Sequence, residues 1–396
     1  MNATLPVIRL RPREGRRVRA GSPWAFSNEI IMDGTAKSLP PGALVRLASD
    51  DGTPIGTGYF NPKSLIAVRL LGGPDLEIGA EFFRAQLKRA LHLRERFYDT
   101  PFYRLVHAEG DGLPGLVIDR FGGSLVVQVT TAGMENLTEH VLAALDETIA
   151  PDSIILRNDT PARALEGLPA YVRAVRGEAP ARLVLEENGA HYFADPQSGQ
   201  KSGWYYDQRD NRRFMAQLAN GKRCLDVYSY SGGFGILAAV KGATEAVLVD
   251  SSEPALQLAR EAAAANGVVE RCRFVKAEVF AELERLSNDG QRFDIVICDP
   301  PAFAPSRKDV EAGARAYRKL SRLAATLVAP DGMLLLASCS HNVSSERFGL
   351  ECAAGIHRAK RSAALVRQAG AGSDHPVHPL LPETAYLKAL VFAIGE

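Results

Sequence analysis

The chain has 396 residues, is 46% hydrophobic and 23% charged, and carries a formal net charge of +1. That length exceeds what one core can fill, so two or three domains are expected, and the composition excludes a disordered or fibrous chain. No apolar run approaches a membrane span and the basic first 19 residues lack the apolar centre of a signal peptide, so a cytoplasmic protein without a membrane partner is expected.

The near-neutral total hides a segregation. Residues 1–72 hold ten Lys or Arg against five Asp or Glu, and Arg9, Arg11, Arg13, Arg16, Arg17 and Arg19 crowd the start. Such a cluster suits either a phosphate backbone or a solvated face. Short apolar or alternating runs at 6–10, 43–48 and 65–71, with turn signals between them, predict a compact β-rich domain over 1–72. Ser22-Pro23-Trp24-Ala25-Phe26-Ser27 sets two aromatics near the basic run. They can stack on bases, but packing into a core is the commoner use.

Gly72-Gly73-Pro74-Asp75 reads as a boundary. A helical pattern follows over 77–98, with Phe82, Phe83, Leu87, Leu91 and Leu93 on one face. After the turn-dense Glu109-Gly110-Asp111-Gly112-Leu113-Pro114-Gly115 come strands at 116–119 and 124–130, a helix at 134–149 and a strand at 153–156. Runs at 182–187 and 191–194 meet at Asn188-Gly189, a hairpin signal. Together these predict a small α+β middle domain over 75–195.

From 196 to 396 strands and helices alternate. Strands are expected at 223–228, 245–250, 272–276, 293–298 and 332–338, with helices near 233–240, 253–266, 278–287 and 311–328. This rhythm predicts a Rossmann-like parallel sheet covered on both faces, with ligands at the carboxyl ends of its strands. The fold class is thus α/β with two smaller domains in front.

The residues with chemistry lie where that rule puts them. The first strand ends at Asp226 and runs into Tyr228-Ser229-Tyr230-Ser231-Gly232-Gly233-Phe234-Gly235. Glycines there let a ligand come close to the backbone. The spacing is not the dinucleotide fingerprint, and an acid at the strand end repels a pyrophosphate but suits an ammonium group. S-adenosylmethionine, with an amino-acid end and no phosphate, fits better. Asp226, Ser229, Ser231, Gly232, Gly233 and Phe234 are therefore candidate cofactor residues. Asp250, 18 residues after Gly232, is placed to take ribose hydroxyls, with Ser251 beside it; capping the next helix is its structural alternative. Glu278 can accept from an adenine amino group or serve only as an acid in a first helical turn.

Asp299-Pro300-Pro301-Ala302-Phe303 ends an apolar strand in a carboxylate with a rigid exit, suited to gripping a nitrogen of a base. Ser338-Cys339-Ser340-His341 puts a thiol at the next strand's carboxyl end, where it faces the ligand crevice and can act as a nucleophile. Cys224 and Cys298 sit within strands and read as packing residues. With Cys272 and Cys352 they make five cysteines and no C-x-x-C pair, so no metal site is expected.

These motifs in this order resemble the bacterial and archaeal large-subunit ribosomal RNA cytosine-5 methyltransferases that carry an N-terminal PUA domain. Asp111-Gly112-Leu113-Pro114-Gly115, the 201–209 stretch from Lys201 to Arg209, and Asp374-His375-Pro376-Val377 add to the likeness, which spans nearly the whole chain. The resemblance implies a PUA domain at 1–72 and 23S ribosomal RNA as partner. It implies Cys339 as nucleophile, Asp299 as the residue positioning cytosine, and S-adenosylmethionine held by the Gly232 turn and Asp250, flanked by Gln208. Some cytosine-5 RNA enzymes carry a second cysteine just after the proline loop. Ala302-Phe303 stands here instead, so product release would have to use another base, which the resemblance does not name; His375, His341 and water are candidates. Two other readings stay open. One is methylation of an exocyclic amino group through Asp299, which needs no cysteine; the other is a non-catalytic RNA-binding protein. A homodimer is compatible with the sequence.

Overall fold

The computed structural model describes residues 5–197, 199 and 202–396. Lys201, within the stretch that contributes to the resemblance, lies outside the described residues, as do residues 1–4 of the first domain. The described chain divides into two compact units. One comprises Met1–Leu183, Asp195–Gly203 and Ser373–Thr384; the other comprises Val184–Ala194, Trp204–Gly372 and Ala385–Glu396. Among the described residues no helix is long and apolar enough to cross a membrane.

The first unit contains two five-stranded sheets. The N-terminal sheet runs in the order Val7–Arg9, Ala43–Ala48, Pro54–Phe60, Ile66–Gly72, Trp24–Phe26. The strand at Pro54–Phe60 was not expected; the stretch between 43–48 and 65–71 was read only for its turn signals. The glycines are needed there: a Cβ on Gly58 would stand 2.1 Å from the Arg69 carbonyl oxygen of the neighbouring strand. Trp24 and Phe26 pack edge to face, half-buried, and the Trp24 indole donates to Glu109 at 2.9 Å. Both rings therefore serve packing.

The second sheet of this unit orders Tyr171–Arg176, Ser153–Asn158, Ser124–Val129, Leu116–Phe121 and Phe102–His107. The helix Ala80–Glu95 buries Phe82, Phe83 and Leu87 against its core. The expected helix over 134–149 is two pieces, Ala132–Asn136 and Thr138–Thr148, interrupted at Leu137. Tyr59 ties the two sheets together: its hydroxyl donates to the Pro114 carbonyl at 2.8 Å and accepts from Thr131 at 3.0 Å. Glu166 adds a second tie by accepting from Asn61, Ser64 and Arg69. The motif around His375 also belongs here. Asp374 accepts from the Arg104 backbone and, at 2.8 Å, faces His375 Nδ1, whose ring lies 4.9 Å from that of His107.

The second unit is built on a seven-stranded sheet. Its strands are β1 (Arg223–Val227), β2 (Glu245–Asp250), β3 (Cys272–Lys276), β4 (Phe293–Cys298), β5 (Val328–Ser338), β6 (Ala363–Ala369) and β7 (Lys388–Ile394), in the order β3-β2-β1-β4-β5-β7-β6. The first five are parallel and β7 joins antiparallel to both neighbours. Helices α1 (Arg209–Gln217), α2 (Gly233–Val240), α3 (Glu253–Ala265), α4 (Val279–Asn288), α5 (Val310–Leu327) and α6 (Ser345–Arg358) cover it.

Covering both faces explains the near-continuous apolar runs of the inner strands. Along β4, Ile295 and Ile297 join one core with Met215 and Phe234, while Val296 and Cys298 join the other with Leu320 and Phe348. Cys298 is fully buried and its thiol is pushed up by that burial, as a packing cysteine should be. The hairpin Leu183–Glu187 and Ala190–Ala194 turns through Asn188 and Gly189, both with left-handed backbone, and packs mostly with this unit.

Candidate active site

Four adjacent parallel strands bring their carboxyl ends to one edge of the second unit. Asp226 lies near the end of β1, Asp250 closes β2, Asp299 follows β4 and Cys339 follows β5. The turn after β1 is shaped by three left-handed residues within five, Tyr228 (φ 60°), Tyr230 (φ 48°) and Gly232 (φ 86°). Left-handed tyrosines are strained, and such strain concentrates at ligand sites. Asp250 holds the turn, accepting from the Tyr230 N–H and the Ser252 N–H, each at 2.8 Å. Capping of α3 falls to Ser252, not Asp250.

Asp226 is fully enclosed. One of its oxygens accepts from the Gly235 N–H at 2.8 Å, and burial pushes its carboxyl up to about 7. Among the described residues, its other oxygen and the hydroxyls of Ser229 and Ser231 are buried without a hydrogen-bond partner. Buried polar atoms are almost always satisfied, so three orphans in one turn point to polar groups supplied from outside the chain. These residues fit the amino-acid and ribose parts of S-adenosylmethionine: Asp226 for an ammonium, Ser229 and Ser231 for polar atoms directly or through water, and Asp250 through its remaining lone pairs.

One expectation about this turn is corrected. Gly232 does not open the backbone to a ligand. A Cβ there would stand 2.8 Å from Ile236 and 3.0 Å from Ala259 and Leu248, inside the core; on Gly233 it would meet Arg212 at 2.5 Å. Gly232→Val should therefore act on the fold. A β-branched residue at positive φ and an overfilled site each cost roughly 1–3 kcal/mol. Thermal unfolding should show a drop of several degrees; a variant as stable as wild type would refute this reading. Glu278 is exposed and N-caps α4, accepting from the Ala281 N–H at 2.9 Å. Ser251 is exposed, and the buried Gln208 accepts from Asn211 at 2.7 Å. Phe234 is buried, with the Arg212 guanidinium 5.7 Å from its ring centre.

Cys339 and Asp299 are both half-buried. Tyr205 lies in the same unit, and burial raises its hydroxyl. Its ring meets Tyr230 edge to face at 5.5 Å. The thiol loop is clamped on both sides. Tyr317 binds Ser338 and Ser340, each at 2.8 Å, and Ser340 Oγ accepts from the Ala304 N–H of the proline loop. Phe303 turns inward and packs with Tyr317, Phe280 and Tyr228, so it is a wall and not a reactive group.

Lys388 was not singled out in the sequence. It is buried on β7 opposite Ser338, and its ammonium donates to the carbonyls of Ser340 at 2.6 Å and Val343 at 2.7 Å. Burial lowers its proton affinity, and the charge that Cys339 can carry works against that lowering. Among the named bases, His341 follows Cys339 by two residues, is exposed and lies 5.4 Å from the Tyr386 ring; His375 is buried within the first unit.

Residues 8–72 match the PUA-like domain family and residues 170–393 match the S-adenosylmethionine-dependent methyltransferase family. The chain is 36% identical over 390 residues to the ribosomal RNA large subunit methyltransferase I of Shewanella frigidimarina, covering 97% of this chain and 98% of that protein. It is 37% identical over 376 residues to the protein of the same name from Aeromonas salmonicida, covering 93% and 94%. The fold resembles a protein from Streptococcus mutans described as a SAM-dependent methyltransferase, with 20% identity and a TM-score of 0.83 over 98% of this chain and 100% of that one. It also resembles a methyltransferase solved with SAH, at 21% identity and a TM-score of 0.84 over 99% of this chain and 100% of that one.

Proposed function

Because the chain belongs to the S-adenosylmethionine-dependent methyltransferases that carry an N-terminal PUA-like domain, we propose that it methylates C5 of a cytosine in large-subunit ribosomal RNA. The observation that supports this reading is the half-buried thiol of Cys339 beside the strand end that carries Asp299, with the buried Lys388 ammonium behind it.

C5 of cytosine is a weak nucleophile. Attack of the Cys339 thiolate forms a bond from Sγ to C6 and pushes the C5–C6 electron pair towards the ring nitrogen, leaving C5 enamine-like. Asp299 holds the N3 and amino edge of the base; N3 takes a proton from solvent as the electron pair arrives and gives it back once C5 has bonded to the methyl group. The cofactor would supply an electrophilic methyl group, its sulfur leaving as a neutral thioether. Once C5 carries the methyl, a base removes the C5 proton, the C5–C6 double bond re-forms and Sγ leaves. His341 stands in the same unit for that last proton transfer. The test is to map methylated cytosines in ribosomal RNA from cells with and without this protein. Loss of one 5-methylcytosine in the large-subunit RNA is expected; an unchanged pattern would reject the assignment.

Lys388 has a role that can be separated from packing. Lys388→Met removes the buried cation that holds the Cys339 loop through Ser340 and Val343, and turnover at neutral pH should fall about tenfold, as for loss of a hydrogen bond to a charged group. Lys388→Arg should restore part of the rate. Cofactor affinity should not change. Full activity of Lys388→Met would remove the residue from the mechanism.

A further inference from the structure

We propose that the groove between α5 and α6, on the methyltransferase unit itself, binds the phosphate backbone of the RNA substrate. This rests on the reading of the chain as an RNA methyltransferase and extends it to a second contact surface. Arg315, Arg318, Lys319 and Arg322 recur on α5 at spacings of three and four, which puts them on one stripe of the helix. The opposite side of α5 is apolar and packs on the sheet through Tyr317, Leu320 and Ala324. Arg358, at the end of α6, completes a groove of about 250 Å³ whose lining is these five cations.

A solvated helix face normally mixes both signs of charge. Here the acids are few and already engaged. Glu351 bridges Arg318 and Arg347, Glu284 pairs with Lys319, and Glu311 pairs with Arg347. Among the described residues, Arg315, Arg322 and Arg358 have no carboxylate partner. Clustered like charges without counter-charges cost stability and draw a polyanion.

The position of the stripe favours nucleic acid. Arg307 and Lys308 are exposed in the short turn that leads from the Asp299-Pro300-Pro301 loop into α5. The cations therefore form a track from the catalytic edge along α5. At 1.5 Å per residue, Lys308 to Arg322 covers roughly 21 Å, enough for several consecutive phosphates. The N-terminal arginines, by contrast, are partly spent within the first unit: Arg17 pairs with Glu383 and Arg19 with Asp50. An arginine fork suits phosphate bidentately.

The test uses the full chain with the triple substitution R315A/R322A/R358A, and a fluorescent fragment of large-subunit ribosomal RNA titrated at a series of salt concentrations. The substituted side chains lie outside the core, so thermal unfolding and S-adenosylmethionine affinity should match wild type. RNA affinity should fall at least about tenfold near 0.1 M salt, and the slope of log K against log salt should lose roughly 2 to 3, at about 0.7–0.9 per lost phosphate contact. The triple lysine variant should keep most of the slope. Unchanged affinity and slope in a folded triple alanine variant would overturn the proposal, and so would a wild-type protein without RNA affinity. Preference for polyglutamate over RNA would overturn it in favour of an acidic protein partner. Loss of RNA binding in the variant, alongside no 5-methylcytosine made by wild type, would uphold the groove while rejecting the cytosine reading.

Discussion

Cys339→Ser should abolish turnover, with a rate loss of about a thousandfold or more, while S-adenosylmethionine still binds. A serine hydroxyl is far less ionised than a thiol near neutral pH, and the proposed reaction begins with attack by a thiolate. Serine is also nearly isosteric, so the clamps from Tyr317 and Lys388 that fix the loop on either side should survive. Wild type should form a covalent complex with RNA carrying 5-fluorocytosine at the target, since fluorine cannot leave as a proton does and the adduct is trapped after the methyl group arrives. Cys298→Ser is the control. That residue is fully buried among the core side chains behind β4, so the change should cost stability and leave the adduct intact. Full methylation by Cys339→Ser, with no trapped adduct in wild type, would eliminate the cytosine-5 chemistry. It would favour amino-group methylation centred on Asp299, which needs no thiol.

What the sequence revealed of this site follows from how parallel sheets are made. Inner strands are buried on both faces, so β1, β2 and β4 stand out as apolar runs, and whatever polar residue ends each run lies at the ligand edge. Asp226, Asp250, Asp299 and Cys339 were legible for that reason. Glycine roles were not, because a pattern shows that a Cβ is absent but not where it would have pointed; at Gly232 it would have pointed into Leu248 and Ala259. Glu278 has the composition of a ligand residue and of a helix cap alike, and only its bond to the Ala281 N–H decides what the side chain does in the fold. Lys388 was hidden more deeply. It opens an apolar strand, where a lysine reads as an edge residue, and its meeting with the Cys339 loop depends on the antiparallel return of β7 beside β5. That return breaks the strand-helix rhythm on which the rest of the reading relied.

Asp226→Asn should make the protein bind its cofactor less well and resist unfolding better above neutral pH. Burial raises the Asp226 carboxyl from its ordinary 3.8 to about 7, so the folded state disfavours the charge that the unfolded chain carries freely. An acid with a raised value in the folded state holds its proton longer there than in the unfolded chain. Its stabilising effect is complete below pH about 4, is lost as pH climbs to about 7, and does not change further above that. The loss amounts to about 4 kcal/mol for a shift of this order. Asparagine carries no charge at any pH and keeps an oxygen for the Gly235 N–H, so melting temperatures of variant and wild type should diverge between pH 4 and 7, with the variant ahead at pH 8. The same substitution removes the counter-charge for a ligand ammonium. Calorimetry should then show affinity for S-adenosylmethionine falling roughly 10- to 100-fold, as for loss of a hydrogen bond to a charged group. Melting curves that run parallel across this range would show that burial does not set the state of Asp226. Unchanged affinity would move the ammonium to another partner. If both effects appear, stability is spent at the end of β1 to keep a carboxylate where the cofactor needs one, and the unpartnered oxygens of Asp226, Ser229 and Ser231 have a common cause.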